Sequence, residues 1–323
     1  MTARPSQYRP PWWLRGGNAQ TLYAALVLRG PRPSYRRERW DTPDGDFVLA
    51  DWIDGPLRAP LVVLLHGLEG SSESHYARAL MSAIRVRDWR GVVLHFRGCG
   101  GEPNALSRAY HSGDSREVDW MLRRLRAIAG AAPLFAAGVS LGGNALLKWL
   151  GEEGDAACEI VRAAAAVSAP VDLTAAGNAL GRGFNRLYTR HFLGSLKRKT
   201  AAKLERFPGC VDGAAAARAN TLREFDDAVT APLHGFRDAS DYWLRSSAKP
   251  FLQHIRVPTL VINAGDDPFL PGEHLPAQDD VSECVQLDFP ASGGHVGFVS
   301  GPFPGSIGWL PERVLGFFEA AGT

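Results

Sequence analysis

The sequence predicts an α/β fold: a mostly parallel central sheet flanked by helices, with a helical insertion that caps the sheet. Three observations predict it. Short apolar runs at 61–65, 91–95, 134–137 and 259–262 have the length and, for the most part, the Val, Ile and Leu content of strands buried on both faces. Segments with helical spacing separate the first three, an alternation that implies right-handed βαβ crossovers. Residues 171–249 break the rhythm with a Pro208-Gly209 turn, an alanine run and scattered aromatics.

In chain order, residues 1–40 are rich in Pro, Arg and Trp and predict an irregular arm, with a short helix near 19–28. Residues 35–40 and 47–53 flank the turn signal Thr42-Pro43-Asp44-Gly45, which predicts a hairpin at a sheet edge. Helices are expected over 75–86, over 115–128 on the stripe Val118, Met121, Leu122 and Leu125, and over 144–151. The alanines of 163–167 suit a strand or a helix equally, and 285–289 reads as a final strand. The expected domain plan is a core of 41–170 and 250–323 interrupted by the cap, 171–249.

The 323 residues are 45% hydrophobic and 22% charged, as in soluble globular proteins. A net charge of +2 lacks the strongly basic footprint of a nucleic-acid binder. Cys99, Cys158, Cys210 and Cys284 are far apart with no C-x-x-C pair, which points to reduced thiols rather than a disulfide framework or zinc site. The N-terminal stretch lacks an apolar signal region, and no apolar run reaches bilayer-spanning length. A soluble cytoplasmic enzyme, with neither a nucleic-acid partner nor a transmembrane segment, is the expectation.

The chemistry begins at Gly138-Val139-Ser140-Leu141-Gly142, with a strand pattern before it and a helix pattern after. A sharp strand-to-helix turn lifts the serine hydroxyl clear of the sheet, and flanking glycines let neighbouring backbone pass closely. A second buried strand ends in His66-Gly67-Leu68-Glu69-Gly70. Loops of this type supply one oxyanion-hole N–H, and the residue after the nucleophile supplies the other, so Leu68 and Leu141 are the expected donors. His66 is expected to be structural, bonding to its own loop.

The run 259–262 leads into Asn263-Ala264-Gly265-Asp266-Asp267-Pro268, an acidic turn at a strand end. Asp267 is favoured as the acid that orients a histidine, because it stands four residues before Pro271; Asp266 is left to cap the turn. His295, in the Gly-rich loop Ser292-Gly293-Gly294-His295 after the final strand, is placed as a general base. Ser140, Asp267 and His295 thus follow the chain order Ser…Asp…His, which is that of the α/β-hydrolase fold.

Motifs along nearly the whole chain resemble the YheT-like hydrolases. They include Pro11-Trp12-Trp13, Asn18-Ala19-Gln20-Thr21, Phe96-Arg97-Gly98-Cys99-Gly100-Gly101, Tyr110-His111-Ser112-Gly113, Phe225-Asp226-Asp227 and Gly293-Gly294-His295-Val296-Gly297-Phe298. The resemblance implies hydrolysis of acyl or lipid-like esters by a serine esterase, with no cofactor. It also brings in eukaryotic relatives that are membrane-anchored lipases.

Acyl transfer or thioester cleavage by the same residues, or a non-catalytic ligand-binding role, are the rival expectations. No H-E-x-x-H or clustered ligand spacing suggests a metal. The cationic run Leu196-Lys197-Arg198-Lys199 is expected to be a solvated helix face. The aromatics of 171–249 are expected mainly to pack the insertion onto the sheet.

Overall fold

The computed structural model describes residues 8–28 and 30–322. The first seven residues of the expected arm lie outside the described residues, as do Arg29 and Thr323.

Eight strands form one sheet in the order β1-β2-β4-β3-β5-β6-β7-β8. They are β1 (Arg36–Asp41), β2 (Phe47–Ile53), β3 (Leu61–Leu65), β4 (Arg90–His95), β5 (Leu134–Val139), β6 (Ala163–Val167), β7 (Thr259–Ile262) and β8 (Val285–Asp288). The β1–β2 and β2–β4 pairs are antiparallel, and all the others are parallel. Strands β3, β5 and β6 are apolar throughout because both faces are covered. Leu61, Val63 and Leu65 enter one core cluster, and Val62 and Leu64 the other.

Helix α1 (Gly17–Leu26) precedes the sheet, and α2 (His75–Val86), α3 (Ser115–Ala129) and α4 (Leu141–Glu153) lie between strands. Between β6 and β7 come α5 (Leu173–Leu180), α6 (Arg186–Arg206), α7 (Gly213–Arg218), α8 (Leu222–Phe225), α9 (Ala231–His234) and α10 (Ala239–Ser246), and α11 (Trp309–Gly322) closes the chain. A π-helical turn, Asp226–Thr230, joins α8 to α9.

The alanine run of β6 resolves to a strand. Its residues pair with β5 on one side and β7 on the other, so the two ladders override the helical propensity of alanine. Several boundaries differ from the sequence expectation by a residue or two, and two of the shifts flank Ser140. β5 runs on through Gly138 and Val139, paired with Ala166 and Val167, and α4 starts at Leu141 because the Asn144 N–H already bonds the Ser140 carbonyl. Helix α1 is not a detached part of an arm: Gln20 and Ala24 are fully buried, and Gln20 Oε1 accepts the Val299 N–H.

Candidate active site

Ser140 occupies the turn between β5 and α4 with φ 53° and ψ −121°. A non-glycine residue at positive φ is strained, and the close packing beneath holds it there. A Cβ on Gly142 would lie 2.4 Å from the Leu65 carbonyl oxygen, so only glycine lets α4 start this close to β3. The Ser140 N–H donates to the Val167 carbonyl at 2.8 Å. Strand β6 therefore fixes the turn from the side.

His295 brings the remaining polar groups to the serine. Its Nε2 lies 3.0 Å from Ser140 Oγ, and its Nδ1 lies 2.9 and 3.1 Å from the two Asp267 oxygens. Asp267 is buried and also accepts the Phe269 N–H at 2.8 Å. The two adjacent aspartates point in different directions. Asp266 turns the other way, and its Oδ1 accepts the N–H groups of Gly293 and Gly294 at 2.9 Å each. One aspartate thus meets the imidazole while the other shapes the loop that carries it.

Leu68 and Leu141 both line a cavity of about 510 Å³ that also contains Ser140. Leu141 is the first residue of α4, so its N–H has no carbonyl within the helix to bond. Gly67, next to Leu68, is packed so closely that a Cβ there would lie 3.1 Å from Ser140 Cβ. His66 is engaged at both nitrogens: Nδ1 donates to the Gly67 carbonyl at 2.7 Å, and Nε2 accepts the Phe96 N–H at 3.1 Å. Burial, reinforced by His95 nearby, pushes its pKa down to about 3, so it is a neutral structural ring.

Two sets of contacts have no counterpart in the sequence periodicity. From α1, Thr21 Oγ1 accepts the His295 N–H at 2.8 Å, and Gly17 packs so tightly that a Cβ there would sit 1.8 Å from the Asp266 carbonyl oxygen. From α6, Lys199 reaches Glu69 Oε1 at 2.8 Å, and Ser195 bonds the other Glu69 oxygen. The cationic run is therefore not wholly solvated. Arg198 is exposed, whereas Lys199 faces the cavity, because residues 192, 195, 196, 199 and 203 share one helix face against it. The only advance signals were Asn18-Ala19-Gln20-Thr21 and His66-Gly67-Leu68-Glu69-Gly70 as family-like motifs, which carry no pairing information.

The cavity walls are apolar along Leu173, Leu180, Phe192, Leu196, Val229 and Phe269. Phe225, Tyr242 and Trp243 belong both to its lining and to buried clusters, so these aromatics pack and line at once. Phe184, by contrast, is exposed. Arg97 of the Gly-rich turn is a buried structural cation, bonded to Glu117 at 2.5 Å, Asp44 at 2.9 Å and Asp46 at 3.0 Å.

A strained serine at a strand-to-helix turn, a histidine and an acid at strand ends, and a cavity beside them define an α/β-hydrolase-type site. A model of the alpha/beta hydrolase fold matches residues 60–302. YheT of Escherichia coli is 42% identical over 300 residues, covering 91% of this chain and 88% of that one. The chain belongs to the α/β-hydrolase fold family and, within it, to the YheT-like family. Phospholipase ABHD3 of Mus musculus is 29% identical over 97% of this chain and 78% of its own. Among solved structures, the Pyrococcus furiosus esterase Pf2001 superposes with a TM-score of 0.57 at 16% identity, over 90% of this chain and 99% of that one, which speaks to fold alone. No helix among the described residues is long and apolar enough to cross a membrane.

Proposed function

We propose that this chain is a serine esterase that hydrolyses carboxylic esters of acyl or lipid-like substrates through an acyl-enzyme. The observation that carries the proposal is the continuous relay Asp267–His295–Ser140, 2.9 and 3.0 Å per link, opening into a largely apolar cavity. His295 Nε2 takes the Ser140 proton as Oγ attacks the ester carbonyl, and Asp267 holds Nδ1–H so that the other nitrogen is the base. The Leu68 and Leu141 N–H groups stabilise the oxyanion. Collapse of the tetrahedral intermediate expels the alcohol, which takes the proton from His295. Water, deprotonated by His295, then releases the acid and frees Ser140.

In this reading 41–170 and 250–323 form the catalytic core, and 171–249 form a cap that shapes the acyl pocket. The cavity is of a size ordinary for small-molecule sites, and its apolar wall suits an acyl chain. The names phospholipase and esterase carried by similar proteins agree with this class of substrate.

The test is hydrolysis of p-nitrophenyl esters from acetyl to palmitoyl, with Ser140→Ala as the blank. Turnover should fall by ~10⁴-fold or more in the variant. Near-wild-type turnover in Ser140→Ala would end the assignment. Added alcohols or an acyl-CoA would separate hydrolysis from acyl transfer and thioester cleavage.

A further inference from the structure

Glu69 follows Leu68 directly, and its backbone is held at φ 56°, a strained value for a carboxylate residue. Tyr110, Lys199 and Ser195 hold it through four hydrogen bonds. Its N–H donates to Tyr110 Oη at 2.9 Å, and the Tyr110 hydroxyl donates back to Glu69 Oε1 at 2.8 Å. The other two come from a single helix face: Lys199 Nζ bonds Oε1 at 2.8 Å, and Ser195 Oγ bonds Oε2. The Glu69 side chain is only 8% exposed, so its charge is nearly cut off from water.

Lys199 Nζ also lies 3.5 Å from the Cys99 thiol. Burial pushes that thiol up to about 11, so it stays protonated at neutral pH. Among the described residues, Glu69 is therefore the carboxylate within ion-pair distance of Lys199. The pair joins residues 130 positions apart. It ties the helix that lines the acyl side of the cavity to the residue whose neighbour supplies the oxyanion donor.

We propose that Lys199 is a positioning residue: through Glu69 it fixes the direction of the Leu68 N–H, and so makes docking of α6 a condition of a competent oxyanion hole. This rests on the serine-esterase reading above. A backbone N–H stabilises an oxyanion only when it is already aimed at the developing charge, and an error of about 1 Å in such a group costs up to ~100-fold in rate. A strained φ at Glu69 relaxes when its side chain loses the charged anchor; the Leu68–Glu69 peptide turns with it, and the Leu68 backbone readjusts, which re-aims the Leu68 N–H one peptide further back. The ground-state ester needs this donor less than the transition state does, so the loss falls on kcat more than on KM.

The experiment compares wild type, Lys199→Met, Lys199→Arg, Glu69→Gln and the Lys199→Met/Glu69→Gln double variant on a short acyl ester, with folding checked by circular dichroism. Short esters avoid the distal wall that Lys199 also borders. The second readout is the rate at which a fluorophosphonate labels Ser140, since phosphonylation builds a negative oxygen in the same hole. Lys199→Met is expected to lower kcat and labelling rate together by about 10- to 100-fold with KM changed less than threefold. Lys199→Arg should restore most of the loss, and the double variant should be little worse than either single one.

Unchanged kcat and labelling in Lys199→Met and Glu69→Gln would overturn the inference while leaving the esterase reading intact. A change in KM alone would overturn it too, making Lys199 a substrate contact. Should Lys199→Met fail to fold, Glu69→Gln decides by the same measures, because it keeps the side-chain shape and the Tyr110 acceptor. Wild-type protein that neither hydrolyses esters nor labels at Ser140 would overturn both readings.

Discussion

Phe269 lies against the His295 ring, with centroids 3.9 Å apart and planes 22° from parallel. The same residue donates its N–H to Asp267 Oδ1. One side chain beyond the acid thus clamps the imidazole face while its backbone holds the carboxylate that meets the imidazole edge. The acidic turn and the histidine loop form one unit, which makes their substitutions informative.

The two adjacent aspartates should separate cleanly. Asp267→Asn presents an amide to Nδ1 and removes the charge that would stabilise the imidazolium, so kcat should drop by ~10⁴-fold. Asp266→Asn keeps an oxygen for the Gly293 and Gly294 N–H groups, and kcat should fall less than tenfold. Steady-state kinetics on one ester checks both. Equal losses would overturn the assignment of Asp267.

Thr21 supports the histidine from behind. Thr21→Val keeps the shape but leaves the buried His295 N–H without its acceptor. Such an orphaned donor costs about 1–3 kcal/mol, read as a lowered denaturant midpoint. Thr21→Ser should retain most of the stability. A Val variant as stable as wild type would show that the N-terminal helix does not brace this loop.

Arg97 is 4% exposed at its side chain and neutralises Asp46 and Glu117, which are as deeply buried. Arg97→Met leaves those carboxylates without their cation, and breaking a buried pair in this way costs about 3–5 kcal/mol. Urea unfolding measures it. Loss of less than 1 kcal/mol would mean that Arg108 and Asn104 carry the cluster instead.

Stability should fall in mild acid. Burial lowers the pKa of His66 to about 3, of His95 and His111 to about 4 and of His234 to about 3, and it lowers that of His75 as well. His66, His95, His111 and His234 stay neutral in the folded protein down to about pH 4, and folding resists protonation of His75 in the same direction, whereas the unfolded chain protonates all five below about pH 6.5. The unfolded state then binds more protons, so each histidine removes up to ~1.4 kcal/mol per pH unit as pH falls from 6.5 towards 4. Asp226, raised by burial to about 6, and Glu117, raised by burial to about 7, act in the opposite direction. Five groups against two leave a net loss, measurable as a lower urea midpoint at pH 5 than at pH 7. A flat or rising midpoint would contradict it.

Much of the architecture was legible because it is written locally. Runs such as 61–65 and 259–262 are strands because continuous apolarity over four or five residues suits a sheet covered on both faces, and their bounds match the observed β3 and β7. The serine turn was legible because a strand, a Gly-x-Ser-x-Gly turn and a helix meet in consecutive residues. The alanines of β6 were ambiguous for the opposite reason: their conformation is set by the strands on either side, and alanine itself favours a helix.

The sequence by itself determined most of the strand and helix order outside 171–249, the sheet class and the residues Ser140, Asp267 and His295 as candidates, since each stands at the end of a local pattern. Tertiary structure alone decided which aspartate faces the imidazole, that Thr21 holds His295 across 274 residues, and that Lys199 reaches Glu69 across 130. Those contacts depend on directions of side chains brought together by folding. Periodicity reports which face of an element is buried, and it carries no information about which distant partner waits there.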